Sequence, residues 1–379
     1  MLTWTELFAS KFVPVHSDLT DNFVDRLNYL YTVALFMFMA AVTGAKQHFG
    51  TAIQCMVPAH FPGTWVNYVQ DYCFVSNTYT VNTSAVIAIG QEANVLKEEI
   101  VYYQWVPYVL LVQALLCYTP KFLWNIVIEH GEQSYSDLRS VLEEAIKLPG
   151  ITSVSARQKH LRKVANFAVG YIRYKQRKLG YSCLSGYHCF LFYLFMKWLY
   201  FGCCLCQVLL INNFVGDGSL LWGYHFTEQV FRGNDWKVSN MFPRVTFCDV
   251  ETTQVGQMNT YTMQCVLMIN VLNEKLYVAL WFWLMILMVI DGVNAVNSTL
   301  LLLCPYLQYT RILSLLQADH NCIDMRAKSY LLNFAVHILR PDGILLLSFV
   351  KNRMNGLYAS DLTREIWLVA DDDQNPYFV

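Results

Sequence analysis

Cysteine is the residue in this chain with the widest choice of chemistry. Twelve are present, and what each can do depends on the compartment it reaches. Cys55 and Cys73 share one polar stretch, and Cys248 and Cys265 share another. An even number of cysteines in an oxidising setting favours disulfides. Four cysteines allow three connectivities, and their spacing does not choose among them. Cys203-Cys204-Leu205-Cys206 is a second cluster, for which metal binding and acylation are the chemical options. It lies in an apolar run with no His or acidic residue at ligand spacing. Packing is therefore its expected role, and no metal site is assigned. No nucleophile elbow, phosphate-binding glycine loop, metal-ligand pair or pair of membrane carboxylates occurs. No catalytic residue is named, no enzyme activity is expected, and no cofactor is implied.

Four apolar runs must position these cysteines. The chain of 379 residues is 55% hydrophobic and 15% charged, against about 25% charged in ordinary soluble domains. Its mean hydropathy is +0.31. Residues 27–45 and 100–120 carry no charge; 187–211 and 276–303 carry only Lys197 and Asp291. Each run meets the roughly 20 residues that a helix needs to cross a hydrocarbon core. Helices are expected because backbone polar groups in lipid must be satisfied within the segment. Residues 344–350 are too short to span and read as a core piece of a soluble part. Residues 1–26 hold no signal-peptide apolar region, so the first span is expected to act as the targeting signal. The predicted fold class is an all-α membrane protein, with four transmembrane helices, stapled outer loops and a helical cytoplasmic dome.

Basic residues orient the bundle. Residues 121–186 carry 11 Lys and Arg, residues 46–99 carry two and residues 212–275 carry four. The positive-inside rule places 121–186 in the cytosol. The N-terminal segment 1–26 and the tail 304–379 then also lie in the cytosol, and 46–99 and 212–275 form the two outer loops. The four cysteines considered first all fall outside, which fits disulfide formation. A membrane location follows, with lipids as partners and no nucleic acid.

Several single residues carry more than one reading. Pro107 falls inside the second run and is expected to bend it, either as a tolerated kink or as a gating hinge. Asp291 is read as the inner end of the fourth helix. Lys197 would pair with it only at similar depth. Residues 153–178 form an amphipathic basic helix, with Leu161, Val164, Phe167, Ala168, Tyr171 and Ile172 at helical spacing. Membrane or partner binding is one role for it, and packing into a cytosolic dome is the favoured one. The tail predicts helices over 312–317, 325–339 and 362–369, with Ser360 or Asp361 as a cap and a turn at Pro341-Asp342-Gly343.

The second run opens Tyr102-Tyr103-Gln104-Trp105-Val106-Pro107-Tyr108, and this wording resembles the signature of the innexin family. Further blocks agree in order: Cys55-Met56-Val57-Pro58 and Trp65-Val66-Asn67-Tyr68 in the first outer loop, Phe242-Pro243-Arg244 through Cys248-Asp249 in the second, Asn273-Glu274-Lys275-Leu276-Tyr277 at the fourth span, and Asp342-Gly343-Ile344 in the tail. The resemblance covers residues 16–355. Two cysteines per outer loop separate the chain from connexins, which carry three.

The resemblance implies a gap-junction channel subunit. Such subunits form a ring, an octamer in the best-known arrangement, of one or several subunit types. Two rings on adjacent cells dock and pass ions and small metabolites. An undocked hemichannel, as in pannexins, and a non-conducting tetraspan adhesion scaffold are the alternatives. The family's pattern implies the pairs Cys55–Cys265 and Cys73–Cys248. It also makes Leu2, Thr3, Trp4 and Thr5 candidates to line the pore mouth. Asn67, Gln70 and Asn240 are candidate docking contacts. The aromatic residues of the outer loops are expected mostly to fill the loop core. Asn82-Thr83-Ser84 is a glycosylation sequon; a glycan along the pore axis would oppose docking, and an unused or sideways sequon would not. His16 is a candidate for acid gating.

Overall fold

The computed structural model describes residues 20–59, 61–81, 97–130, 133–178, 187–215, 219–232, 242–254, 256–316, 331–332, 334–354 and 356–372. Helix α1 (Phe23–Phe49) passes through a π-helical stretch, Leu27–Thr32. Then come strand β1 (Ile53–Cys55), helix α2 (Gly63–Val75) and strands β2 (Thr78–Val81) and β3 (Lys97–Ile100). Next are α3 (Val106–His130), α4 (Gln133–Ile146), α5 (Val154–Lys178), α6 (His188–Val215) and α7 (Trp222–Phe231). Strands β4 (Val245–Gln254) and β5 (Gln257–Leu267) lead directly into α8 (Met268–Leu303). The last helices are α9 (Pro305–Leu316), α10 (Arg340–Arg353) and α11 (Gly356–Asp372). Helices α1, α3, α6 and α8 are long and apolar enough to cross a membrane. They leave large apolar side chains such as Phe38, Leu115, Phe195, Ile286 and Val289 exposed, as lipid-facing or subunit-facing surfaces do.

The chain divides into two compact units. The sheet unit comprises Asn28–Tyr118 and Gly202–Val289; the helical unit comprises Met1–Leu27, Thr119–Phe201 and Ile290–Val379.

The sheet unit carries the feature that hydropathy alone does not expose. Its five antiparallel strands run in the order β1-β5-β4-β2-β3. Strand β4 is rich in Val and Thr, which suit a pleated half-buried surface. Its alternate residues Thr246, Cys248 and Val250 are buried, as are Met263, Cys265 and Leu267 on β5. That period of two presents one face to Val69 and Cys73 of α2. At the β4–β5 turn, Gly256 takes a φ of +82°, a conformation a glycine adopts without strain.

The helical unit is built on one apolar core. Leu138, Val141, Leu142 and Ala145 of α4 meet Val164, Ala165, Ala168 and Ile172 of α5, with Ile312, Ile344, Phe349, Leu362 and Ile366 from the tail helices. The periodicity of α5 is the predicted one, except that Phe167 is 49% exposed.

Three expectations about proline and caps are corrected. Pro107 is the second residue of α3, where its missing N–H costs nothing, so it starts the helix rather than bending it. Residues 102–104 are a 3₁₀ turn and Ile100 ends β3, so the second helix lies further along the chain than 100–120 and runs through Pro120. Pro341-Asp342-Gly343 is not a turn either: it forms the first turn of α10, again with proline at a helix start. The Asp342 Oδ1 atom accepts the N–H of Phe190 at 2.8 Å, which satisfies one of the open donors in the first turn of α6. Ser360 and Asp361 lie inside α11, which starts at Gly356. Of the predicted helix 325–339, residues 325–330 lie outside the described residues, and Phe334–Leu339 is a π-helical turn.

Candidate functional site: a stapled sheet and the helix start it braces

Two disulfides hold the sheet unit. Cys55 and Cys265 stand opposite one another in the β1–β5 register and are bonded. Cys73 of α2 is bonded to Cys248 of β4. One bond thus fastens the three-residue edge strand, and the other clamps a helix onto the buried face of the sheet. Among the described residues, the core that β1 and α2 share holds about a dozen buried side chains, a small one that covalent staples reinforce. The sulfurs of Cys55, Cys73 and Cys265 lie close together, but as disulfides they offer no thiolate to a metal.

The signature residues brace this unit. The Tyr103 hydroxyl donates to the Phe74 carbonyl at 3.1 Å. The Gln104 Nε2 atom donates to the same carbonyl at 2.7 Å and to Asn77 Oδ1 at 3.2 Å. Asn77 has a φ of 69°, so the chain leaves α2 through a left-handed residue that the Gln104 amide holds. The rings of Phe74, Tyr103, Tyr102, Phe214, Phe242 and Tyr277 form a chain of contacts at 5.3–6.5 Å, a spacing at which aromatic pairs attract. Burial pushes the Tyr102 and Tyr103 phenols above their ordinary range, so both stay neutral donors. Trp105 and Tyr108 point outward, 57% and 53% exposed. That matches aromatic rings at a membrane interface.

The start of α8 is tied to the same structure. Asn270 Nδ2 donates to the Pro243 carbonyl at 2.9 Å, and Arg244 reaches Glu274 at 2.8 Å. The Trp283 indole donates to Thr32 Oγ1 of α1 at 2.9 Å. The blocks around Pro243, Asn273 and Tyr102 therefore meet at the ends of the helices. Replacing Gln104 by leucine removes the brace on α2 and should cost about 1–2 kcal/mol. A thermal melt of the purified chain would measure it; an unshifted midpoint would mean that the α2 terminus holds without Gln104.

Asn67 is exposed and Gln70 partly so on α2. Among the loop aromatics, Phe242 is 3% exposed and fills the core, whereas Tyr68 is 59% exposed. Leu2, Thr3, Trp4, Thr5, His16, Asn82 and Asn240 lie outside the described residues. Cys203 and Cys204 donate their thiols to the carbonyls of Leu116 and Leu284 at 3.3 and 3.4 Å, and Cys206 is exposed.

In the helical unit, sequence reasoning missed a set of buried charges. Lys197 does not pair with Asp291. Its Nζ atom lies 2.6 Å from Asp25 Oδ1 and 4.6 Å from the centre of the Tyr193 ring. Lys121, just past the second apolar run, is 1% exposed and lies 2.6 Å from Asp21. The Trp124 indole donates to Thr20 at 2.9 Å. Asp25 also accepts the Asn22 N–H at 3.1 Å, closing the first turn of α1. The available signal was that a lysine in an apolar helix needs an acid, and Asp21 and Asp25 stand just before the first apolar run.

The fold and the stapled sheet define a polytopic membrane protein of four spanning helices with a cystine-closed β-sheet. The chain belongs to the innexin family, whose profile matches residues 21–369. It is 33% identical over 358 residues to Innexin-3 of Caenorhabditis elegans, with 92% of this chain and 83% of that one covered. It is 31% identical over 373 residues to Innexin unc-9 of the same organism, with 95% of each chain covered. Innexin-11 is 31% identical over 392 residues, with 98% and 83% covered. Innexins form gap-junction channels in invertebrates and are channel proteins rather than enzymes.

Proposed function

We propose that the chain is a subunit of a large-pore channel that docks, ring to ring, with a second ring on an adjacent cell. The carrying observation is the stapled sheet, a platform built from the two loops that join the apolar helices in pairs. Asn67 and Gln70 on its helix α2 are proposed as docking contacts, together with Asn240. An octameric ring of one or several innexin-type subunits is the proposed assembly, with Leu2, Thr3, Trp4 and Thr5 at the pore mouth. The charge bias of residues 121–186 supports cytosolic placement of that loop and of both termini. The need of disulfides for an oxidising exterior supports placing the sheet outside.

The sequon at Asn82 favours a second reading, an undocked hemichannel. Paired cells that express this chain alone, with single-cell currents recorded alongside, separate the readings. Junctional current is the expected result. Single-cell current without coupling would select the undocked channel, and no current despite surface delivery would select the adhesion scaffold or an obligate second subunit.

A further inference from the structure

The helical unit contains a polar cavity of about 190 Å³ between α8, α9 and α10. It is smaller than the roughly 300–1,000 Å³ of pockets that enclose drug-sized ligands, so it suits a compact polar group. Arg311 and Lys351 line it, with the side-chain amides of Asn294 and Asn297. Among the described residues, no Asp or Glu lines it. Among the described residues, neither Arg311 nor Lys351 is paired with a carboxylate. Two cations and several amides converging on a hollow with no counter-charge among the described residues call for an anion. A phosphate offers the several acceptor oxygens that such a donor set can engage together.

The wall also includes Asn22 and Asn352. Asn352 Nδ2 donates to Asn22 Oδ1 at 2.5 Å, and Asn22 Nδ2 donates to the Tyr193 hydroxyl at 3.1 Å. Asn22 opens α1, and its N–H is held by Asp25, the partner of Lys197. An occupant of the cavity would thus touch the residue that starts the first helix. The Leu300, Leu303 and Tyr306 side chains nearby in sequence are exposed, an apolar surface along which acyl chains can lie.

We propose that this cavity binds a phosphate ester through Arg311 and Lys351 and so bears on the N-terminal end of α1. The ester is either the headgroup of an acidic phospholipid or a soluble sugar or inositol phosphate. The proposal does not depend on docking or on conduction, because binding alone tests it.

The test uses the full chain in detergent, titrated with phosphatidic acid, a phosphatidylinositol phosphate, phosphatidylcholine and inositol trisphosphate, and read by native mass spectrometry. Loss of both cations in R311Q/K351Q should weaken binding of the acidic ligands about tenfold or more. The charge-keeping R311K/K351R should retain most of it. Both side chains are exposed, so neither variant disturbs the core. Cation-dependent binding of the lipids alone would assign a membrane source, and cation-dependent binding of inositol trisphosphate a soluble one. Equal binding by wild type and R311Q/K351Q in every titration would overturn the proposal.

Discussion

Lys197→Met is expected to destabilise the protein by about 3–5 kcal/mol, the usual cost of stranding one member of a buried ion pair. Lys197 and Asp25 have side chains 2% and 9% exposed and lie 2.6 Å apart. Removing the ammonium leaves Asp25 with its capping bond to Asn22 but no counter-charge. The cost should come from that orphaned carboxylate rather than from lost attraction. Asp25→Asn combined with Lys197→Met should therefore recover most of the loss, because a buried pair replaced on both sides by neutral groups is often close to neutral. The asparagine can still accept the Asn22 N–H. Thermal melts of the detergent-purified single and double variants measure both effects. A single variant that melts with the wild type would show that the charge on Asp25 finds another partner. A double variant no better than the single would show that packing around the lysine stem, with the Tyr193 ring 4.6 Å from its nitrogen, matters more than charge.

The second large effect is expected at the disulfide between α2 and β4. Cys73 and Cys248 are separated by 175 residues, and closing a loop of that length is worth about 5 kcal/mol in the chain-entropy account. Cys73→Ser, Cys248→Ser and the double variant should all lose surface delivery and channel current, and to the same degree, because each breaks the same bond. Surface labelling and currents from cells expressing each variant would show this. Wild-type delivery and current in the double variant would mean that Val69 and the sheet core retain α2 without the staple. Loss in one single variant only would mean that the remaining free thiol, rather than the missing bond, does the harm.

The four spanning helices were legible because their signal is local. A run of apolar residues announces a lipid-facing helix whatever it later touches, and the basic periodicity of α5 is equally self-contained. Boundaries were less legible. Hydropathy does not register where backbone hydrogen bonding begins, so Ile100 and the 3₁₀ turn before α3 read as span, and Pro107 read as a kink. The sheet was written in alternation, as in Val245-Thr246-Phe247-Cys248-Asp249-Val250, but two cysteines and aromatic residues drew those stretches toward a loop reading. The charge pairs were least legible. Asp25 and Lys197 are 172 residues apart, and no spacing rule links them. Only the physical demand that a lysine within an apolar helix must find an acid points across that distance. The family signature was recognisable as a string, yet its role as a brace on Phe74 and Asn77 emerges only once the C-terminal end of α2 and the start of α3 are side by side.

The long separations across the two disulfides also set a timetable for biosynthesis. Cys55 and Cys73 leave the ribosome before either native partner is made, and each must wait for a cysteine 210 or 175 residues later. At roughly 5–20 residues per second, that wait is about 10–40 s. Throughout it, two thiols stand in the same nascent loop and can be oxidised to one another. Correct pairing is therefore a problem of delay, in which the early thiols must be kept reduced, or their wrong bond reshuffled, until the second half of the sheet arrives.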